Sequence, residues 1–179
     1  MLITLDDDIQ RICSEFANKV VSTNIDKYAE RNQTDIQKII NDIYVGKVAE
    51  YAVYKLLVSR GKSVKEPDVE VYSAKKKSFS ADLTDGTLQF HVKCMKKEAA
   101  ERYGLSWSFQ MEDPLIRRPN ESDVLVLCEY DNDNIDIKAF IKANKVTSIY
   151  TKPFLKKLEY IKKVLMWDDV YKLMKGENG

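Results

Sequence analysis

The sequence predicts an α/β fold of the α+β kind, in which helices flank a central mixed β-sheet. Apolar residues recur at helical spacing over the first sixty residues, and the middle of the chain then alternates apolar and polar residues as strands do. The chain has 179 residues, four prolines and no low-complexity linker. We therefore expect one domain, with a helical part at 1–60, a mixed sheet at 66–142 and a helical part at 152–175.

The N-terminal part should contain two helices. Apolar positions one helical turn apart support the first of them, at Ile9, Ile12, Phe16 and Val20. A longer helix should run from about Asp35 to Ser59, with Thr34 or Asp35 as its N-cap and Gly61 just beyond its end.

The middle of the chain should supply the strands of the sheet. They are predicted at 69–72, 79–83, 88–94, 105–109, 123–129 and 135–141. The run 123–129 is almost wholly apolar, as expected of a central strand that is buried on both faces. The tail from Phe154 to Met174 is predicted to be an amphipathic helix. Its inward positions would be Leu155, Leu158, Ile161, Leu165 and Val170.

A Thr-Asp-Gly-Thr sequence between two of these strands predicts a hairpin, and its register decides which side chains meet. A loop at residues 85–86 would place Asp82 opposite Gln89, whereas a loop at 86–87 would place Asp82 opposite His91. Glycine suits the first position of a type II′ turn, so we favour the second register. Directly opposite side chains then lie about 5 Å apart at Cβ.

In either register an acid, an imidazole and an amine gather on one polar face, because Asp82, His91 and Lys93 share strand parity. Glu50 falls inside the apolar stripe of the long helix, where a carboxylate is costly unless it is paired or binds a metal. A lysine or arginine partner for Glu50 and a metal ion both remain open at this stage. An ordinary solvated polar face is the alternative for the strand residues.

These residue types suit metal-assisted hydrolysis of a phosphodiester. Asp82 and Glu50 would supply hard oxygen ligands for Mg²⁺, and Lys93 would hold the attacking water or the developing charge. His91 could be a metal ligand itself, or it could contact a ligand without touching the metal. It is the only histidine, and the three cysteines stand singly, which argues against a zinc site.

The pattern resembles the PD-(D/E)XK nuclease superfamily, in which a helix glutamate is followed by an aspartate and then by acid-x-Lys on the next strand. The matching positions here are Glu50, Asp82 and His91-Val-Lys93, and the resemblance covers about residues 44–140. It implies a restriction-endonuclease-like fold and Mg²⁺-dependent cleavage of DNA, with Mn²⁺ able to substitute, often by a homodimer.

The resemblance also implies roles for individual residues. Asp82, Glu50 and the backbone carbonyl of Val92 would hold the metal, while His91 and Lys93 complete the catalytic set. Gln110 corresponds to the polar residue often found beyond the lysine strand.

One position departs from the superfamily pattern, because His91 stands where an acid is expected. Glu50 could compensate for the missing ligand, or catalysis could be weak or lost. Asp68, which follows Pro67, is a competing aspartate. We prefer Asp82 because its strand pairs directly with the strand that carries Lys93. A DNA endonuclease of restriction, phage or repair type is therefore the leading hypothesis. A weak or inactive nucleic-acid-binding module and a small protein-interaction domain are the alternatives.

The formal net charge is only +1, but short basic runs offer candidate contacts to nucleic acid. These contacts are Lys75, Lys76, Lys77, Lys96, Arg117 and Arg118. No apolar run approaches the roughly 20 residues that span a bilayer, and the acidic N-terminus does not resemble a signal peptide. Together with the scattered cysteines, this predicts a cytoplasmic location.

Overall fold

The computed structural model describes residues 1–30, 34–71 and 80–176. The helices are α1 Asp7–Glu30, α2 Ile36–Ser59, α3 Lys97–Tyr103, α4 Pro114–Arg117 and α5 Trp167–Lys175. The strands are β1 Leu2–Thr4, β2 Leu83–Thr84, β3 Gln89–Lys96, β4 Ser106–Gln110, β5 Asp123–Asp131, β6 Asn134–Lys142 and β7 Lys162–Met166. The predicted mixed sheet with flanking helices is confirmed at this level.

The main sheet has five strands in the order β1-β6-β5-β3-β2, and a separate pair joins β4 to β7. Within the main sheet β3 and β5 run parallel, whereas its other pairs are antiparallel. Helices α1 and α2 cover one face of the sheet, and the β4–β7 pair with α5 covers the other. The fold is therefore a mixed α+β arrangement in three layers.

Strand β5 is the centre of the core, as its apolar sequence predicted. Val124, Val126 and Cys128 pack toward α1 and α2, while Leu125 and Leu127 pack toward β4, β7 and α5. All five side chains are buried. A strand covered on both faces needs apolar residues at every position, which explains the near-continuous run in the sequence.

A β-bulge between β5 and β6 curls the sheet. Leu127 lies opposite Ala139, but its neighbour Cys128 lies opposite Ile137, so Lys138 has no partner in the register. Ala139 consequently packs in the core on the β4–β7 side, and Ile137 packs in the core under the helices. The extra residue reverses the alternation of side chains along β6, so this one strand contributes residues to the cores on both faces of the sheet.

The hairpin register favoured from the sequence is confirmed. Leu83 lies opposite Phe90, which leaves a two-residue loop at 86–87 and gives Gly86 a φ of 87° at the first loop position. This register brings Asp82, the residue before β2, to the level of His91.

The two N-terminal helices are also confirmed. The side chain of Asp35 accepts a hydrogen bond from the Lys38 amide at 2.9 Å, so Asp35 is the N-cap of α2. Gly61 follows the last turn with a φ of 77°, a conformation that glycine adopts at little cost.

Several sequence predictions need correction. The edge strand β1 was not predicted, and the proposed strand at 69–72 is not a strand over residues 69–71, while Tyr72 lies outside the described residues. The proposed strand at 79–83 shortens to β2, and its first residue, Phe79, also lies outside them.

The predicted helix over Phe154–Met174 is wrong in its first half. A short 3₁₀ turn, Lys156–Leu158, precedes β7, and only α5 is an α-helix. Of the predicted inward positions, Leu165 and Val170 are fully buried, whereas Leu155 and Ile161 are 37% and 50% exposed. The tail forms a strand instead of a helix there because of a tertiary contact. Strand β4 lies outside the main sheet, and β7 provides hydrogen-bond partners for the backbone of β4 over five residue pairs.

None of the helices in the described ranges combines the length and the apolar character that crossing a bilayer requires.

Asp85 closes the β2–β3 turn. Its carboxylate accepts hydrogen bonds from the amides of Leu88 at 2.7 Å and Thr87 at 3.0 Å, and it pairs with the Lys62 ammonium at 3.0 Å. These bonds, led by the one from Leu88, lower the pKa of Asp85 to about 2.

Replacing Asp85 with alanine should lower the free energy of unfolding by about 2 kcal/mol at pH 7, because charge-assisted hydrogen bonds are lost. The pKa falls on folding from an ordinary 3.8 to about 2, so this stabilisation is present above pH 3.8 and disappears as the pH falls toward 2. Urea unfolding at several pH values measures the difference. Asp85→Asn keeps an oxygen acceptor and should lose less. A difference that is the same at pH 7 and pH 2.5 would contradict the assignment.

Candidate active site

A polar pocket of about 150 Å³ lies between β3 and the β4–β7 pair. Its lining residues are Ser80, Asp82, His91, Lys93, Ser108, Phe109, Gln110, Asp113, Leu115 and Lys162. The structure thus brings together four of the five residues that the sequence analysis assigned to catalysis. The fifth, Glu50, does not line this pocket.

Asp82 stands at the open edge of β3. Its Oδ2 atom accepts a hydrogen bond from the Val92 amide at 2.7 Å, and its own amide donates to the Phe90 carbonyl at 3.0 Å. The N–H and C=O of one strand residue face the same edge, so the Val92 carbonyl is also on the Asp82 side of β3. Among the described residues, β2 pairs with β3 only as far as Phe90, so none of their strands pairs with this edge at Val92.

Lys93 is half-buried on the pocket face of β3. Its Nζ atom lies 5.4 Å from the centre of the Phe109 ring, within the range of a cation–π contact. Asp82 keeps part of its side chain open to solvent, yet the surrounding protein removes enough water to raise the pKa of its carboxyl. The positive charge of Lys93 is the leading opposing effect.

Glu50 reaches the same region from α2, which packs on the other face of β3. Its Oε2 atom lies 2.5 Å from the Nζ of Lys47, and Lys47 also donates to the Asp68 carbonyl at 2.8 Å. The Glu50 and Lys47 side chains are only 17% and 9% exposed. A lysine partner, one of the two options left open by the sequence, is therefore present.

The electrostatic environment of Glu50 links it to Asp82. Burial raises the pKa of Glu50 to about 7, and the negative charge of Asp82 adds to this rise while Lys47 opposes it. The competing aspartate, Asp68, also lies close enough for its charge to raise the same pKa. Asp68 does not line the pocket, and its carboxylate accepts a hydrogen bond from the Glu70 amide at 2.8 Å.

His91 is only 5% exposed and is fixed by a residue that the sequence analysis did not pair with it. Its Nε2 atom lies 3.2 Å from Oδ1 of Asp123, which is itself buried. The second oxygen of Asp123 accepts a hydrogen bond from the Asn120 amide at 2.7 Å. His91 therefore forms part of the pocket wall while this ring nitrogen is directed to Asp123.

Three of the lining residues add functional groups that sequence reasoning missed. Lys162, on β7, lies opposite Gln110 of β4 in the strand register. Asp113 is buried and caps α4 by accepting a hydrogen bond from the Leu115 amide at 3.1 Å. Ser108 belongs to the same face of β4 as Gln110. Lys162 falls within the predicted tail helix, which gave no reason to place it here.

The predicted nucleic-acid contacts lie in different settings. Lys96 forms an ion pair with Asp42 at 2.7 Å and is 24% exposed. Arg117 and Arg118 are exposed at the end of α4, whose Leu115 reaches the pocket. Lys75, Lys76 and Lys77 lie outside the described residues.

The fit to a metal ion depends on the kind of metal. Over the described ranges, no three His, Cys, Asp or Glu side chains converge in a way that could hold an ion. Mg²⁺ requires less, because it is bound through one or two carboxylates together with waters and substrate phosphate. Two carboxyl groups with raised pKa values, Glu50 and Asp82, are donors of this kind.

Comparisons with known protein families, with curated proteins and with solved structures found no match to this chain.

The pKa of Glu50 predicts a pH-dependent stability. Folding raises it from 4.5 to about 7, so ionised Glu50 destabilises the fold increasingly as the pH rises from 4.5, and fully above about 7. Changing Glu50 to Gln should therefore stabilise the protein more at pH 8 than at pH 5. The change in the free energy of unfolding relative to wild type should differ between the two pH values by up to about 3 kcal/mol. The unpaired Lys47 left behind contributes equally at both pH values.

Urea unfolding at pH 5 and pH 8 measures this effect. Glu101→Gln, which removes an exposed carboxylate on α3, is the matched control and should show a difference of only a few tenths of a kcal/mol. Equal effects of the Glu50 change at the two pH values would show that its carboxyl is not perturbed.

Proposed function

We propose that this protein is a metal-dependent endonuclease that hydrolyses DNA phosphodiester bonds, on a restriction-endonuclease-like version of its mixed α+β fold. The supporting observation is the pocket beside β3 in which Asp82, Lys93 and Gln110 meet. These are the residue types that phosphodiester hydrolysis needs: a hard oxygen ligand, a positive charge and a polar group that can orient water or phosphate.

Asp82, Glu50 and the Val92 carbonyl are the groups that would hold Mg²⁺, and Mn²⁺ could replace it. The metal, when bound, lowers the pKa of a coordinated water and offsets charge on the phosphate. Asp82 is the central donor because it lies in the pocket and beside Val92. Glu50 acts from the opposite face of β3, where the charge of Asp82 already affects it.

The other residues position the substrate. Lys93 is held against Phe109 on the Asp82 side of the pocket, so its ammonium can stabilise charge that develops on a phosphate oxygen. Gln110 can donate to a phosphate oxygen or orient the attacking water. His91, fixed by Asp123, shapes the wall beside them and can offer one further polar contact.

The alternative function is a catalytically weak or inactive nucleic-acid-binding module on the same fold. Two contacts favour it: Glu50 is already paired with Lys47, and His91, which replaces the expected acid, is paired with Asp123. Both hypotheses take DNA as the partner. The homodimer that the superfamily resemblance implies belongs to the same proposal, and sedimentation of the pure protein tests it.

Incubation of supercoiled plasmid with pure protein and Mg²⁺ or Mn²⁺ tests the enzyme proposal. Asp82→Asn and Lys93→Gln should each reduce the cleavage rate by about 100-fold or more, since each removes a charge beside the reacting phosphate. Lys97→Gln is the matched control, because Lys97 is exposed and pairs with Asp131 away from the pocket. Absence of cleavage by the wild type refutes the enzyme proposal, and full activity of both variants refutes this site.

Binding of a DNA duplex at several salt concentrations, without metal, tests the alternative. If Arg117 and Arg118 contact phosphates, the double change to Gln should reduce the slope of log affinity against log salt by about 2. Tight, salt-dependent binding without cleavage would support the binding module. An unchanged slope would remove these two arginines from the interface.

A further inference from the structure

The residue that the proposed mechanism leaves unused is Lys162. It enters the pocket from β7, opposite Gln110, and its side chain is half-buried. The β4–β7 pair is separate from the main sheet, so Lys162 and Lys93 reach one cavity from two different layers of the fold.

Neither Lys93 nor Lys162 forms an ion pair in the part of the chain that the structure describes, although the charge of Asp82 acts on Lys93 through space. No carboxylate of those residues lies within 4.0 Å of the Nζ of Lys93 or Lys162, whereas many surface lysines form such pairs. Burial is the main cause that lowers the pKa of Lys162. The negative charge of Asp42 raises this pKa, whereas the positive charges of Lys38 and Lys93 lower it further. Two half-buried ammonium groups that converge on one cavity without an ion-pair partner favour binding of an anion.

The two acids of the pocket each accept a hydrogen bond from a backbone amide. Asp82 accepts the Val92 amide, and Asp113 accepts the Leu115 amide as the cap of α4. The side of the cavity formed by β4 and β7 instead carries hydrogen-bond donors. By the two-residue period of strands, Ser108, Gln110 and Lys162 share one face of this pair.

We propose that Lys162 and Lys93 together bind one phosphate group in this pocket, with Ser108 and Gln110 as neutral donors. That this group is a backbone phosphate of DNA rests on the proposed function. The β4–β7 pair then holds the phosphate in front of Asp82, and Lys162 becomes a substrate-binding residue. The cavity, about 150 Å³, has room for a single tetrahedral anion.

Inorganic phosphate is the probe, and His91 is the reporter. The chain has one histidine, and it lines the pocket, so its ring resonances are assigned without ambiguity and respond to changes at the pocket wall. Phosphate is titrated into the metal-free full-length protein at fixed pH, with chloride keeping the ionic strength constant. The wild type should show a saturable shift of the His91 signals.

Matched variants identify the lysine. Lys162→Gln should weaken phosphate binding about tenfold, because one charged hydrogen bond is lost. Lys157→Gln makes the same charge change at an exposed residue of the 3₁₀ turn Lys156–Leu158, which does not line the pocket, and should stay within about twofold of wild type. Lys162→Arg keeps the charge and should retain most of the affinity.

A wild type without a saturable shift overturns the inference, and so does equal affinity of the wild type and Lys162→Gln. If Lys162→Gln does not fold, the phosphate-induced shift of the Lys162 side-chain signals in the wild type decides, and no shift there also overturns it. Plasmid cleavage is scored separately. If phosphate binds through Lys162 but the plasmid is not cleaved, this inference holds and the nuclease proposal fails. If the plasmid is cleaved but phosphate does not bind, the nuclease proposal holds and this inference fails.

Discussion

The parallel pairing of β3 with β5 is the constraint on which the rest of the structure depends. It is continuous over eight residue pairs, from Gln89 with Asp123 to Lys96 with Tyr130. Parallel neighbours cannot be joined by a tight turn, so the chain must cross over one face of the sheet before β5 begins. That crossover contains α3, β4 and α4, and it lies on the face where Lys93 projects. The pocket is thus a consequence of the connection that the parallel pair requires.

The crossover also explains why a distant segment contributes to the site. Strand β4 is carried above the main sheet, and its backbone groups find their partners in β7, more than fifty residues later in the chain. Trp107, Phe109 and Leu165 fill the space between this pair and β5, so the pair is held rigidly by the core. Gln110 and Lys162 at its end are therefore positioned by packing and not by a loop.

Local signals in the sequence account for the parts of the site that were predicted. Strand parity and the glycine of a two-residue loop depend on neighbouring residues alone, so the register that brings Asp82 to the level of His91 could be derived. The helical stripe likewise located Glu50. The His91–Asp123 contact depends on the register of two strands joined by a long crossover, and the sequence contains no local sign of it. Lys162 was misplaced because apolar spacing in the tail fits a helix as well as the turn, strand and helix that form.

The charges around β3 give the two carboxyl groups, Glu50 and Asp82, different surroundings. Lys47 is anchored by the Asp68 carbonyl and remains beside Glu50, so a cation that uses Glu50 must share it with an ammonium group that is already there. No ammonium group of the described residues forms an ion pair with Asp82, whose hydrogen bond comes from the neutral Val92 amide, although the charge of Lys93 acts on it through space. A divalent ion would also offset the negative charge of Asp82, which adds to the rise in the pKa of Glu50 that burial causes. Binding of the proposed metal should therefore depend first on Asp82, while Glu50 would be a ligand shared with Lys47 whose buried charge costs stability.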